Sequence, residues 1–455
     1  MTYMSNKTPK PDLSFWQIWN LSFGFLGVQF GFALQNGNVS RILQALGADV
    51  HHLGYFWLAA PIAGIIIQPI IGGASDFTWN RLGRRIPYIV GGAIMATLAM
   101  FLMPNSEVFV AFLPPMIFGA IMLLIMDASF NITFQPFRAL VGDMVNDKQR
   151  DLGYSVQSFL INTGAVIGSA LPFILTAWGV SNEPDTAAGQ KVADSTVWSF
   201  YIGGATLILT VIWTAMRTKE YPPKEYAEYN NVDLEAKSQN GDKTHINIID
   251  TLLGSPKVMI QLAAVQLCSW VALYFMWVYS TPAIAQHIWD TTDTTSKAYN
   301  EAGDWVGIMF AAYSLAAALF SIAMPILIKT LNRKAVYSGA LICGGIGLVS
   351  ISYIHDQYML LIPMIGVGMA WAAILAMPFS ILAENLPAEK MGLYMGIFNV
   401  TIAGPQIFAG LFGGSIATSF FDGNTVGLLT FAGVLLIIGS FCVGLVSDKK
   451  PSTEE

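Results

Sequence analysis

Charge is what this 455-residue sequence has least of: Asp, Glu, Lys and Arg together make up 11% of it, where a soluble domain carries about 25%. A surface facing water needs that charge, so most of this chain's surface faces another solvent. Lipid is the one consistent with 54% apolar residues and a mean hydropathy of +0.55. Cysteine is scarce as well. Cys268, Cys343 and Cys442 all lie inside apolar runs without metal-ligand spacing, which argues against disulfides and a zinc site. No basic block interleaved with aromatics is present, so nucleic acid is not an expected partner. The sequence also lacks a His-Glu-x-x-His motif, a Gly-x-Ser-x-Gly turn in a suitable setting, and a carboxylate pair within one apolar run. Neither enzymatic activity nor a cofactor is called for.

What the sequence has in place of charge is long apolar runs. A hydrocarbon core about 30 Å thick takes roughly 20 apolar residues per helix. Runs of that kind fall at 15–42, 52–73, 86–104, 108–141, 151–178 and 197–216, then at 257–288, 304–329, 335–354, 358–384, 391–419 and 425–447. The first has no small-residue cleavage site after it and reads as a retained span, not a signal peptide. The fold expected is therefore all-α, twelve transmembrane helices in two six-helix bundles. Residues 1–217 form the first bundle, 218–256 a polar cytoplasmic linker and 257–455 the second.

With the N-terminus inside, 20 of the 23 Lys and Arg residues fall on the cytoplasmic side, and only Arg41, Lys191 and Lys297 do not. The reverse orientation would invert that bias, so both termini are expected in the cytoplasm. The halves also echo each other. Pro136-Phe137 precedes Asp147-Lys148 as Pro378-Phe379 precedes Glu389-Lys390, and each pair leads through a glycine (Gly153, Gly392) to an asparagine (Asn162, Asn399). Such duplication places a binding site where the halves meet.

Against this apolar background the polar exceptions carry the chemistry. Asp127 lies near the middle of the fourth span, at a depth where a carboxylate costs about 3 kcal/mol. Helical geometry puts Asn131, Gln135 and Arg138 within about 80° of it on one face, with Arg138 roughly 16 Å along the axis and out of direct reach. An acid with no nearby cation is favoured as its neutral form, which is the setting a proton-coupling site requires. A permanently hydrogen-bonded Asp with no part in turnover would look the same. In the seventh span Trp270, Tyr274, Trp277 and Thr281 share a face. Such a stripe can stack on sugar C–H faces and bond hydroxyls, though packing or an interfacial belt also produces one. Trp57 and Trp371 are further aromatic candidates. Uncharged amides recur at Gln29, Gln35, Asn36, Asn38, Asn162, Asn399 and Gln406. These could simply bond helix to helix, but amides and aromatics without a mid-membrane cation suit a neutral polyhydroxylated solute. The loop after the second span carries Asp76, Arg81, Arg84 and Arg85, able to form a charge latch as well as to fix topology. Asp143 and Glu384 complete the coupling and gating set.

Several stretches together resemble the glycoside–cation symporters of the major facilitator superfamily, especially plant sucrose transporters and their animal and bacterial relatives. They are Gly27 through Gln35, Gln68 through Gly72 with Ser75-Asp76, and Arg81 through Pro87. In the fourth span they are Asp127, Asn131, Gln135-Pro136, Arg138 through Leu140 and Asp143. Trp305 through Gly307, Ala370 through Ala372, and Gly392 through Gln406 follow. The resemblance implies that fold, proton-driven disaccharide uptake by alternating access, a proton taken by Asp127, and coupling or gating by Arg138. Phe77, where a basic residue usually follows the Ser-Asp pair, departs from the pattern, as does Asn36-Gly37-Asn38, which replaces more apolar residues. The first bears on the latch and the second on substrate choice. The expectation is a monomeric importer of a maltose- or sucrose-type α-glucoside with a proton, across the inner membrane. Sodium-coupled or uncoupled transport of another neutral sugar, or a sugar sensor on the same fold, stay open. The short linker without domain features speaks against the sensor.

Overall fold

The computed structural model describes residues 10–49, 53–109, 111–146, 149–185, 189–230, 257–385 and 398–447. The first span is Gly24–Ala45, entered through a short helix Phe15–Ser22 whose Ser14 and Gln17 cap each other reciprocally. The second is Leu53–Phe56 continuing, after a break at Trp57 and Leu58, as Ala59–Phe77. Ile86–Leu102, Pro115–Met144, Arg150–Ala177 and Asp194–Arg217 complete the first six. A surface helix, Pro223–Asn230, follows. The last six are Lys257–Ile288, Lys297–Leu331, Arg333–Ser350, Leu361–Asn385, Val400–Phe421 and Thr425–Leu445.

Ten of these helices, counted among the described residues, are long and apolar enough to cross a membrane on length and composition alone. The first two spans are the exceptions. Gln29, Gln35, Asn36, Asn38, Ser40, Arg41 and Gln44 dilute the hydropathy of the first. It tolerates them because it packs against the fifth, sixth and fourth spans of its own bundle and against the seventh and eighth of the other. A helix surrounded by helices needs no lipid-compatible face.

The duplication glimpsed in sequence recurs in the main helix pairings. In the first bundle span 1 packs on spans 5 and 6, span 3 on spans 4 and 6, and span 2 on span 4. Adding six to each number gives the pairs of the second bundle: 7 on 11 and 12, 9 on 10 and 12, 8 on 10. Four interior prolines follow the same rule, Pro136 and Pro172 in spans 4 and 5 and Pro378 and Pro405 in spans 10 and 11, whereas Pro282 of span 7 has no counterpart in span 1. The matching Asp147-Lys148, Glu389-Lys390 and Gly392 lie outside the described residues.

Helix ends are fixed by short polar side chains. Ser296 accepts from the Tyr299 N–H, and Asn424 from Val426 and Gly427. Capping by Ser296 starts the eighth span at Lys297, about two turns earlier than hydropathy places it. That extension takes Asn300 out of a loop and sets Asp304, expected at the helix start, about two turns inside it.

The bundles meet at the end of the molecule remote from the chain termini. Tyr274 Oη donates to the Gly54 carbonyl at 2.6 Å, Ser40 Oγ to Val278 O at 3.0 Å, and Tyr299 Oη to Gln44 Oε1 at 2.8 Å. Spans 2 and 11 touch backbone to backbone there: a Cβ built on Gly54 would stand 2.5 Å from the Gly410 carbonyl oxygen. Spans 5 and 8 do the same, since a Cβ on Gly307 would overlap the carbonyl oxygen of Ser169. Small residues permit this closeness, as they do between membrane helices generally.

Candidate functional site

Asp127 is fully buried in the fourth span, and the Gln35 side-chain amide of the first span donates to its Oδ1. Gln35 is equally inaccessible. The other oxygen of each group, Asp127 Oδ2 and Gln35 Oε1, has no hydrogen-bond partner among the described residues. Two buried acceptors are left over with no donor between them. An ionised carboxylate is acceptor-only, and protonation turns one of its oxygens into a donor. Asn131 spends its amide on the Asp127 backbone carbonyl at 2.8 Å, which holds it on its own helix. Arg138, eleven residues on, is exposed, with its guanidinium 4.5 Å from the centre of the Phe134 ring. Asp127 thus points neither at lipid nor at a cation but at a neutral amide inside the first bundle.

Across from it the second bundle carries an aromatic cluster. Trp270 lies 6.3 Å from Trp277 and 5.9 Å from Trp371, and Trp277 meets Trp371 edge-on at 5.4 Å. The Trp277 indole donates to Tyr313 Oη at 3.1 Å. Trp277 and Trp371 are half-buried, and the buried Trp270 N–H has no partner among the described residues. Three spans, the seventh, eighth and tenth, therefore converge on one set of rings with an unused donor. Tyr274 and Trp57 are placed differently. Tyr274 donates across the bundles to Gly54 O, and Trp57 donates at 3.0 Å to Ser40 Oγ, whose own hydroxyl donates across to Val278 O. Tyr274 nevertheless stands within electrostatic reach of Asp127.

The remaining amide candidates are half-buried: Gln29 and Asn36 on span 1, Asn162 on span 5, Asn399 and Gln406 on span 11. Asn162 bonds back to Ser158 O at 2.9 Å and Gln406 to Ile402 O at 3.4 Å. Asp76, Gln135 and Glu384 fall outside the residues whose side chains the structure describes.

At the terminal end the arginines behind the second span are tied down. Arg85 Nε reaches Asp143 Oδ2 at 3.0 Å, Arg84 Nε donates to Ser75 O at 3.2 Å, and the Arg84 guanidinium lies 4.5 Å from the centre of the Tyr226 ring. Glu220 Oε1 accepts from the backbone N–H groups of Arg85 and Ile86 at 2.8 and 2.9 Å, capping the third span from the start of the linker. Burial is the main influence on that carboxyl and raises its pKa above 4.5. Arg81 is exposed and stands apart from this knot. Of the residues forming these sites, Tyr313, Glu220 and Tyr226 carry no signal in the sequence. Gln35 was visible only as one amide among several.

A profile of the Major Facilitator Superfamily matches residues 21–292 and 265–455. Among characterised proteins, the Sucrose transport protein SUT5 of Oryza sativa subsp. indica is 23% identical over 445 residues, covering 88% of this chain and 82% of its own. The Sucrose transport protein SUC4 of Arabidopsis thaliana is 22% identical over 446 residues, covering 91% and 86%. A General alpha-glucoside permease of Schizosaccharomyces pombe is 28% identical over 163 residues, 34% of this chain and 30% of that one. Two solved structures share the fold. The nucleoside transporter NupG superposes with a TM-score of 0.65 at 14% identity, covering 96% of this chain and 99% of that one. The xylose transporter XylE from E. coli in an inward-open conformation gives 0.65 at 13% identity, covering 97% and 98%. The chain is a multi-pass membrane protein that belongs to the major facilitator superfamily, and within it matches the glycoside–cation symporters.

Proposed function

We propose that the protein imports a neutral disaccharide of the α-glucoside type, maltose or sucrose first, together with a proton, by alternating access. The observation that carries the coupling is the Asp127–Gln35 pair: a wholly buried carboxylate whose described partner is an uncharged amide. Moving an unpaired buried charge between two faces of a membrane is costly. A proton removes the charge and supplies the donor that the two leftover acceptors lack. Cargo and proton then cross together.

The class of cargo rests on the Trp270–Trp277–Trp371 cluster, whose ring faces suit sugar C–H groups, on the half-buried amides opposite, and on the sucrose and α-glucoside carriers among the relatives. Residues 1–217 and 257–455 act as the two rocking bodies joined by 218–256. The protein works as a monomer in the inner membrane with both termini in the cytoplasm, the orientation supported by 20 of 23 basic residues. Arg138, Asp76, Arg81, Arg84, Arg85, Asp143 and Glu384 serve coupling and gating.

The test is a transport screen in proteoliposomes with labelled maltose, sucrose and trehalose, with and without an imposed pH gradient. One of these sugars should accumulate against its gradient only when the proton gradient is present, and its addition should alkalinise the medium. Accumulation driven by sodium alone, or mere equilibration, would defeat the proton reading; no transport of any of the three would defeat the sugar.

A further inference from the structure

The most completely buried ion pair among the described residues joins the two bundles. Arg41 of the first span puts Nη1 2.7 Å from Asp304 Oδ1 of the eighth and 2.9 Å from the Asn300 carbonyl. The two side chains are 2% and 3% exposed. Asp304 Oδ2 accepts from Thr176 Oγ1 of the fifth span at 2.9 Å, so one carboxylate of the second bundle gathers two helices of the first. Gly303 makes room for the contact, because a Cβ there would stand 2.8 Å from the guanidinium.

We infer that the Arg41–Asp304 pair is the gate of the far end, and that opening this end requires the pair to separate. The inference rests on the alternating-access reading above but is independent of cargo and of Asp127. Its physics is an asymmetry. A buried pair gains little over apolar packing, yet removing one partner leaves a stranded charge at large cost. Closed bundles therefore demand both partners, whereas in the open state water solvates each one separately. Arg41 Nε and Nη2 have no hydrogen-bond partner among the described residues, so closure leaves the guanidinium under-bonded there. Opening returns water to those two donors. The contact thus makes closure depend on both partners being present while adding little that holds the ends shut.

The experiment reads accessibility, not transport. Cys268, Cys343 and Cys442 are replaced by Ser, and Ser169→Cys places one thiol at a buried position whose backbone carbonyl meets Gly307 between spans 5 and 8. Purified protein in nanodiscs is labelled with a soluble maleimide. Asp304→Asn and Arg41→Met each strand one polar group and should speed labelling on the order of tenfold or more. The double variant Arg41→Met with Asp304→Leu removes both charges and should return the rate to within about twofold of the parent. Gly303→Ala, which keeps both charges and displaces the guanidinium, should speed labelling as the single variants do, and serves as the readout if either of those fails to fold. Unchanged labelling in these variants overturns the gate. Fast labelling that persists in the double variant also overturns it, since packing and not charge would then hold the seam.

Discussion

Gln35 donates its side-chain amide to the Asp127 carboxylate, joining spans 1 and 4 in the interior of the first bundle. An amide can serve both protonation states of its partner: its N–H₂ bonds the carboxylate, and its carbonyl oxygen accepts from the carboxylic acid. Asp127→Asn is isosteric and permanently neutral. It should abolish accumulation driven by a pH gradient, bringing the sugar ratio across the membrane to one, while sugar exchange without net flux persists. Uptake and counterflow in the same proteoliposomes check this, and concentrative uptake by the variant would overturn the role of Asp127.

Gln35→Leu keeps the volume and deletes both functions of the amide. Asp127 then has no described side-chain partner in either state, and pH-driven uptake should fall about tenfold, in line with the roughly 1–3 kcal/mol cost of stranding a buried polar group. Gln35→Glu should not rescue it, because a second acid beside Asp127 competes for the same proton. Initial uptake rates across a pH series measure both variants.

The tryptophan cluster gives a prediction about affinity in place of coupling. Trp270→Ala and Trp371→Ala each remove a ring from the same cluster. Stacking contributions of about 0.5–1.5 kcal/mol per ring translate to a 2- to 12-fold rise in the half-saturating sugar concentration. The pH dependence of uptake should stay as in the parent. Trp270→Phe retains the ring and loses the unpartnered N–H, so it separates stacking from hydrogen bonding when uptake is titrated with sugar.

Much of this fold was readable because a lipid-facing helix must be apolar along its whole length, and ten spans are. The first two depart from that rule for different reasons: the first packs against helices of both bundles, so polar residues are tolerated, and the second is apolar but broken at Trp57 and Leu58. Periodicity placed Asp127, Asn131 and Arg138 on one face but could not name the neighbour across the gap, and Gln35 comes from a span 92 residues away. Arg41 looked like an outer-loop residue because the run of apolar residues ends beside it, yet the helix continues to Ala45 and buries it. Tyr274 shares its periodic face with Trp270 and Trp277, and Trp57 is one more aromatic in an apolar run. The Tyr274 hydroxyl is spent on Gly54 of the other bundle and the Trp57 indole on Ser40 of the neighbouring first span, pairings between helices that are invisible in either helix alone.

Docking also explains why the two glycines at the span 2–span 11 contact should respond unequally. A Cβ on Gly54 meets the Gly410 carbonyl oxygen, rigid backbone, at 2.5 Å. A Cβ on Gly410 meets the ends of two side chains first, Leu58 Cδ2 at 2.5 Å and Tyr274 Oη at 2.8 Å, and the Gly54 carbonyl at 2.9 Å, a looser backbone contact than the 2.5 Å on the other side. Gly54→Ala should hold the far end apart and cut transport by on the order of tenfold or more, whereas Gly410→Ala should retain a third or more of the parent rate. Equal loss in both, measured as initial uptake per mole of protein, would mean that the contact does not limit the cycle.

The last prediction concerns stability at the terminal end. Glu220 caps the third span from the linker, and burial raises its pKa above 4.5. The folded protein therefore holds the Glu220 proton more tightly than the unfolded chain, and across the window extending upward from pH 4.5 the folded state binds more protons. Stability contributed by this group must fall as pH rises through that window and recover as pH is lowered. Glu220→Gln cannot titrate, so its melting temperature should lack this component, and the gap between variant and parent should narrow toward pH 4.5. Glu220→Ala loses the cap on the Arg85 and Ile86 N–H groups at every pH, at a cost of about 1 kcal/mol. Differential scanning fluorimetry of the three proteins from pH 4.5 to 7.5 reads both effects. A gap between the Gln variant and parent that is constant with pH would show that the Glu220 carboxyl has the same proton affinity folded and unfolded, and that its role is that of a cap alone.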